Sequence, residues 1–329
     1  MPAEWEPHAA TWLTWPRPDG ISFPGRYEIV PPVLARLVRL ITEGEAVHIN
    51  IWDTELERLA KRALEAEGVP KADVHFHPFP AYEPWCRDHG PLFVVRTDGK
   101  RAIVNWSYNA WGGKYPPFDL DDGIPAKVAT ALGLPLFEPE MILEGGSIDV
   151  NGAGQLLTTE SCLLHPNRNP RLAKRDIESR LRDFLGIEKI TWLGEGIEGD
   201  DTDGHVDDLS RFVDADTVVT VVEPSPTDLN HAPLQANCEQ LGQAFNVIEL
   251  PMPERVKIDG QRLPASYANF YISNAHVIVP TYRDANDERA LGLLREAFPG
   301  RTVTGLDSMD LIWGLGSFHC LTQQEPAGN

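Results

Sequence analysis

Apolar and polar positions along the chain switch repeatedly between two periods. Helical spacing marks "DTELERLAKRALEAEG", where Leu56, Leu59, Ala60, Ala63 and Leu64 share a face. Thr54 stands there as the expected N-cap with Glu57 three residues on, and Gly68 ends the run. "NPRLAKRDIESRLRDFLG" reads as a helix from Asn169 and Pro170 to Gly186, and the stretches Pro32 to Thr42, Ala232 to Phe245 and Asp287 to Phe298 behave alike. Between them lie strand signals that come in pairs: "PLFVVRTDGKRAIVNW", "SIDVNGAGQLLTTE", "LSRFVDADTVVTVV" and "NFYISNAHVIVP". Their turns centre near positions 98, 152, 215 and 274.

Successive turns are thus about 54, 63 and 59 residues apart, a repeat of supersecondary structure even though the residues differ. Each hairpin is followed by a helix or crossover and a further strand, which predicts a strand, strand, helix, strand unit repeated four times. Both chain ends are left over. If the strand-like "ATWLTWP" near the start pairs with "FHCLTQQ" near the end, they form a fifth hairpin, close the units into a ring and hold a terminus that would otherwise fray. The fold class expected is α/β, in one domain over residues 1–329. A generic α/β domain with coincidental spacing is the alternative that the pattern alone leaves open.

Composition narrows the partners. The 329 residues suffice for a sizeable core, and 28 Pro with 27 Gly suit many turns and short elements. A formal net charge of −20 argues against nucleic acid, which needs a basic face, and favours a small cation. "MPAEWEPHAATW" has neither the basic region nor the apolar run of a secretory signal, and no window approaches about 18 apolar residues, so no membrane span is expected. Cys86, Cys162, Cys238 and Cys320 are scattered without CxxC spacing, as for free thiols in a reducing cytoplasm.

The reactive residues fall at one place in the repeat. Polar clusters precede the hairpins: "EPWCRDHG", "LEGG", "DDTDGHVDD" and "SYAN", with Gly316 to Cys320 in the fifth position. Asp88, Glu144, His205 and Cys320 therefore occupy equivalent places in units one, two, three and five, and a closed ring would bring them into one pocket. A thiol with an imidazole is the minimum for nucleophilic catalysis. Carboxylates beside a thiol oppose its ionisation, so they make sense only if a cation arrives to neutralise them. A guanidinium fits, because carboxylates such as Asp88 and Asp207 accept its paired N–H donors in fork geometry while sulfur reaches the central carbon.

Blander readings apply elsewhere. Cys162 and Cys238 lie in apolar patterns and read as buried packing residues. Cys86, two residues from Asp88, would share its side on a strand and stays open as a pocket residue. "DDTDGHVDD" fails as a calcium loop because Gly199 and Ser210 stand where acids are needed, and His75 with His77 lacks a third ligand. No metal and no organic cofactor is expected.

Taken together, "MPAEWEPHAATWLTWP", "YEPWCRDHGP", "NAWGGKYPPFD", "EGGSIDVNGAGQLLTTESCLL", "HPNRNP", "GDDTDGHVDD", "ASYANFYISN" and "FHCLTQQ" occur in the order of one family over nearly the whole chain. The sequence resembles the agmatine deiminase family, of bacterial peptidylarginine deiminase type, in the guanidine-modifying pentein superfamily. The resemblance implies a five-bladed αβ propeller of ββαβ repeats and hydrolysis of agmatine to N-carbamoylputrescine and ammonia. It implies Cys320 as nucleophile, His205 as general acid and base, Asp88 and Asp207 as guanidinium carboxylates, and Glu144 as the acid orienting the histidine. Asp201 is the implied contact for the substrate's far amine, with Trp85 and Trp111 beside the substrate, and a homodimer is a family-level expectation. Leu315, Ser317, Phe318 and Cys86 depart from the family's usual residues, which leaves the exact guanidine open. The lack of a signal and of an added C-terminal domain favours free agmatine over arginine or peptidyl-arginine. A polyamine-binding protein without activity and a cysteine peptidase are the readings from other classes; the latter leaves the carboxylates unexplained.

Overall fold

The computed structural model describes residues 1–328 and is a mixed α/β structure. Among those residues five sheets share one plan, in which an antiparallel pair is extended by a parallel strand on its second member. They are Leu92–Val95, Arg101–Val104 and Leu136–Phe137; Ile148–Val150, Gln155–Thr159 and Lys189–Leu193; Ser210–Phe212, Thr217–Val222 and Asn246–Pro251; and Tyr271–Ile272, His276–Thr281 and Thr302–Asp307. In the fifth, His8–Thr14 lies between Thr322–Pro326, antiparallel, and Ala46–Asn50, parallel, with Val74–His77 beyond. The expected pairing of the chain ends is present in the register Thr11 to Gln324 and Leu13 to Thr322, and the Trp12 indole donates to Glu325 at 2.8 Å.

The parallel strand of each sheet needs a crossover, and helices supply most of them. Helix Thr54–Ala66 buries Leu56, Ala60 and Leu64, a four-residue spacing that keeps one stripe inward. Asp53 rather than Thr54 caps it, its carboxylate accepting from the Leu56 N–H at 2.8 Å. Helix Lys174–Leu185 starts later than Asn169 because residues up to Ala173 form turns in which the Asn169 side chain pairs with the Ile142 backbone, accepting from its N–H at 2.9 Å and donating to its carbonyl at 2.8 Å. Gly186, at φ +70°, ends it in the left-handed conformation that glycine adopts without strain. The middle strands carry apolar runs such as "TVVTVV" because both of their faces are covered. Each fully buried valine or leucine there contributes about 2 kcal/mol.

One local feature decides where the site lies. Short helical turns stand immediately before the first strand of a sheet: Cys86–His89, Gly145–Ser147, Val206–Asp208 and Phe318–Leu321. "FHCLTQQ" is thus not one strand; its first half is a helical turn and the strand begins at Thr322. A small hairpin, Lys257–Ile258 with Gln261–Arg262, stands apart from the five sheets. No helix of the described residues is long and apolar enough to cross a membrane.

Candidate active site

The helical turns converge. Asp88 Oδ1 accepts from the Gly146 N–H at 3.0 Å, and Asp88 Oδ2 from the Trp111 indole at 2.9 Å, so both oxygens are fixed. His205 Nδ1 lies 3.6 Å from Asp88 Oδ1 and 4.0 Å from Asp207 Oδ1, and its Nε2 lies 3.9 Å from Glu144 Oε2. Cys320 Sγ is 3.7 Å from Asp207 Oδ2. Residues 88, 144, 205, 207 and 320, drawn from four units, therefore share one centre. Gly146 lets them meet: a Cβ there would stand 2.6 Å from His205 Nδ1, 2.9 Å from Asp88 Oδ1 and 3.0 Å from Asp207 Oδ2.

A cavity of about 410 Å³ opens onto this centre. Asp88, Cys320, Trp85, Trp111 and Asp201 line it, and His205, Asp207 and Glu144 are fully buried next to that wall. Asp201 accepts the Tyr115 hydroxyl, which holds its carboxylate at the wall. Glu83 and Asp259 add two more acids, and the lining contains no lysine, arginine or histidine. Trp85 is held by its indole donating to Ser22 at 3.0 Å.

The electrostatics are those of a site prepared for a cation. Burial alone would lower His205, but the Asp88 carboxylate, with Cys162 and Glu144 beside it, holds the imidazole well above its ordinary pKa. Burial lifts Asp88 to about 6 against the pull of His205. For Asp207 burial is outweighed by the hydrogen bond and charge of His319, and its carboxyl lies below the usual range. Burial likewise opposes Glu144, yet His205 and Arg168 keep it low; Arg168 Nε donates to Glu144 Oε1 at 2.7 Å. The Cys320 thiol is raised well above its ordinary value, by burial and then by Asp207, Asp208 and Asp88. Both ring nitrogens of His205, Asp207 Oδ1 and Glu144 Oε2 are buried without a partner. The unpartnered carboxylate oxygens cost free energy unless a ligand supplies donors and positive charge.

Two cysteines find places the sequence did not give them, and a third gains a neighbour. Cys86 is on a helical turn, where residues two apart face different ways, so it leaves Asp88's side and packs with Trp12, Phe93 and Ile103. Burial pushes its thiol up to about 12. Cys162 is buried as expected but also stands against the site: its sulfur, Glu144 and His205 have ligand atoms within 4.8 Å of one another. The Arg168 guanidinium fixed on Glu144 opposes a metal ion there. Cys238 is only half-buried, on helix His231–Leu241, rather than a packing residue. His75 and His77 sit on one strand, and His77 pairs with His48 at 2.7 Å, stacked beside Trp12.

Two further residues touch the centre. Asn269, from the "SYAN" cluster, donates to Cys320 Sγ at 3.0 Å and to Asp208 at 2.9 Å, which fills the equivalent place in the fourth unit. His319 donates to Asp207 Oδ2 at 2.6 Å.

Residues 1–326 match the family model described as Porphyromonas-type peptidyl-arginine deiminase. A Selenomonas ruminantium protein named as a candidate agmatine deiminase is 37% identical, over 99% of this chain and 95% of its own. The structure is similar to a Cys-to-Ser form of C. jejuni agmatine deiminase with substrate bound, at TM-score 0.92 and 32% identity, covering 100% of this chain and 96% of that one. It is similar also to the agmatine deiminase of Enterococcus faecalis, at TM-score 0.91 and 32% identity, covering 99% and 95%.

Proposed function

The chain belongs to the Porphyromonas-type peptidyl-arginine deiminase family, and from that premise we propose that it is an agmatine deiminase. It hydrolyses agmatine to N-carbamoylputrescine and ammonia with a covalent amidino-cysteine intermediate. The observation that carries this reading is the set of unpartnered buried carboxylate oxygens on Asp207 and Glu144 around His205 and beside Asp88, with the other Asp207 oxygen 3.7 Å from Cys320 Sγ. A planar cation bearing N–H donors supplies what the carboxylate oxygens lack, while the protonated His205 ring is itself a donor facing those carboxylates.

Agmatine has a cation at each end. Its guanidinium lies between Asp88 and Asp207, and its positive charge offsets the carboxylates that hold the Cys320 thiol protonated, so the nucleophile ionises when substrate is present. The thiolate forms a bond to the guanidinium carbon. His205, kept protonated by Asp88, then gives its proton to the departing amino group, and the C–N bond breaks to release ammonia. The neutral imidazole next takes a proton from water as oxygen bonds to the amidino carbon. As the C–S bond breaks, the hydroxyl proton of the adduct passes to the departing sulfur, which releases the ureido product and restores the Cys320 thiol. Glu144 steadies the imidazolium from the other nitrogen.

The far amine lies among Asp201, Glu83 and Asp259. An arginine α-carboxylate in that place would face acids with no basic side chain to receive it, which is repulsion built into the wall. Agmatine is therefore expected to exceed arginine in kcat/KM by at least about 10³-fold, two such contacts costing about 4 kcal/mol. Side-by-side assay of ammonia and ureido product measures this, and comparable turnover of arginine would overturn the substrate assignment. Alanine at Gly146 is expected to lower kcat/KM more than about 100-fold and to lower the melting temperature as well, because its methyl is forced into the space between His205 and both carboxylates.

The same reading takes residues 1–329 as one catalytic domain and the five sheets of shared plan as five blades of a pentein propeller, supported by their common strand order and the paired chain ends. It needs no metal or organic cofactor. It places the protein in the cytoplasm, supported by four free thiols, with a homodimer as the assembly and no role for nucleic acid or membrane.

A further inference from the structure

The turn that carries Cys320 also carries His319, which belongs to no wall of the cavity and joins a buried line of charge. Its Nδ1 meets Asp207 Oδ2 at 2.6 Å, and its Nε2 meets Glu4 Oε2 at 2.8 Å. Ionised carboxylates only accept, so the ring donates from both nitrogens. Glu4 also accepts from Arg211 at 3.0 Å, Arg87 at 3.2 Å and the Ile272 N–H at 2.8 Å. Arg211 is paired in addition with Asp149. Three anions, Glu4, Asp149 and Asp207, thus balance three cations, Arg87, Arg211 and His319, all of them buried.

This line has a consequence at the reacting sulfur. Asp207 Oδ2, the oxygen His319 holds, is also the one 3.7 Å from Cys320 Sγ, while Oδ1 is left without a partner beside His205. His319 therefore fixes which oxygen stays free for a donor and compensates charge on the oxygen that faces the thiol. Glu4 fixes the ring from behind, across 315 residues of sequence.

We propose that His319 and Glu4 are positioning residues, a relay that orients Asp207 and sets how strongly its charge opposes ionisation of Cys320. The proposal rests on the reading that Asp207 holds the guanidinium. In His319→Asn the donor toward Asp207 can be kept while the positive charge and the link to Glu4 are lost. Alkylation of Cys320 by iodoacetamide, without substrate and followed by the mass of the Cys320 peptide, is expected to slow about tenfold, one pKa unit of thiol. KM for agmatine is expected to rise and kcat to fall, with His319→Ala losing more of both than His319→Asn.

Glu4→Asp keeps the charge but draws it back from the ring, and is expected to slow alkylation about threefold. It decides the matter if His319→Asn does not fold. Alkylation within twofold of the parent protein in the folded variants, with only the melting temperature lowered, would make the line structural and overturn the relay. Because alkylation needs no substrate, failure of the parent protein to turn over agmatine would count against the functional reading and leave the relay measurable.

Discussion

Serine in place of Cys320 is expected to abolish ammonia release from agmatine, by at least about 10⁴-fold in kcat, while the protein folds and still binds. On the proposed mechanism the thiol ionises only when an arriving cation offsets the charges of Asp207, Asp208 and Asp88, which with burial hold its pKa well above the ordinary value. A serine hydroxyl begins much further from ionisation, and the same carboxylates oppose it, so the cation's contribution no longer suffices. His205 cannot act as the base that deprotonates it, because the Asp88 carboxylate keeps the imidazole protonated in the resting site. Binding is a separate matter, since the two carboxylates proposed to hold the guanidinium are untouched. At agmatine concentrations about 100 times its Kd, the serine variant should gain about 2.7 kcal/mol of stability, read as a rise in melting temperature. Turnover by the variant above about one part in a hundred of the parent rate would remove Cys320 from the nucleophile's role.

Most of the site was legible because the fold repeats. Asp88, Glu144, His205 and Cys320 are far apart in the chain, yet each precedes a legible hairpin, and equivalent places in repeated units meet in space. What the sequence concealed is of two kinds. Helical turns of three or four residues are too short to show a 3.6-residue period, so "FHCLTQQ" read as a strand and Cys86 kept a place beside Asp88 that a helical turn denies it. The other kind is contact across the whole chain. Glu4 sits in "MPAEWEPH" with nothing local to distinguish it from a solvated acid, yet it takes donors from Arg87, Arg211 and His319. Asn269 stood in a cluster recognised by position, but a neutral amide has no signature of chemistry until a sulfur is found 3.0 Å from it.

Asparagine in place of Asp88 should lower kcat/KM for agmatine by at least about 10³-fold, the roughly 4 kcal/mol expected when one partner of a buried ion pair is lost. Two effects act in the same direction. Both Asp88 oxygens accept hydrogen bonds, from the Gly146 N–H and the Trp111 indole, so an amide NH₂ must face one of those donors and the side chain turns or withdraws. The charge that lifts His205 is removed as well, so the imidazole no longer holds the proton that the leaving ammonia requires. The pH profile separates Asp88 from Asp207 and Glu144; Glu83, which burial raises to about 7 at the far-amine end, weakens binding from a higher pH and does so in the Asp88 variant too. The Asp88 carboxyl is raised to about 6 by burial, and the cation binds the ionised form, so in the parent protein kcat/KM should fall about tenfold per unit as pH drops below about 6. Asp207 and Glu144, held low by His319, His205 and Arg168, stay ionised through that range and contribute no such limb. The residual activity of Asp88→Asn should therefore lose the part of the acid limb centred near 6, and a variant that retained it would assign that titration to a different group.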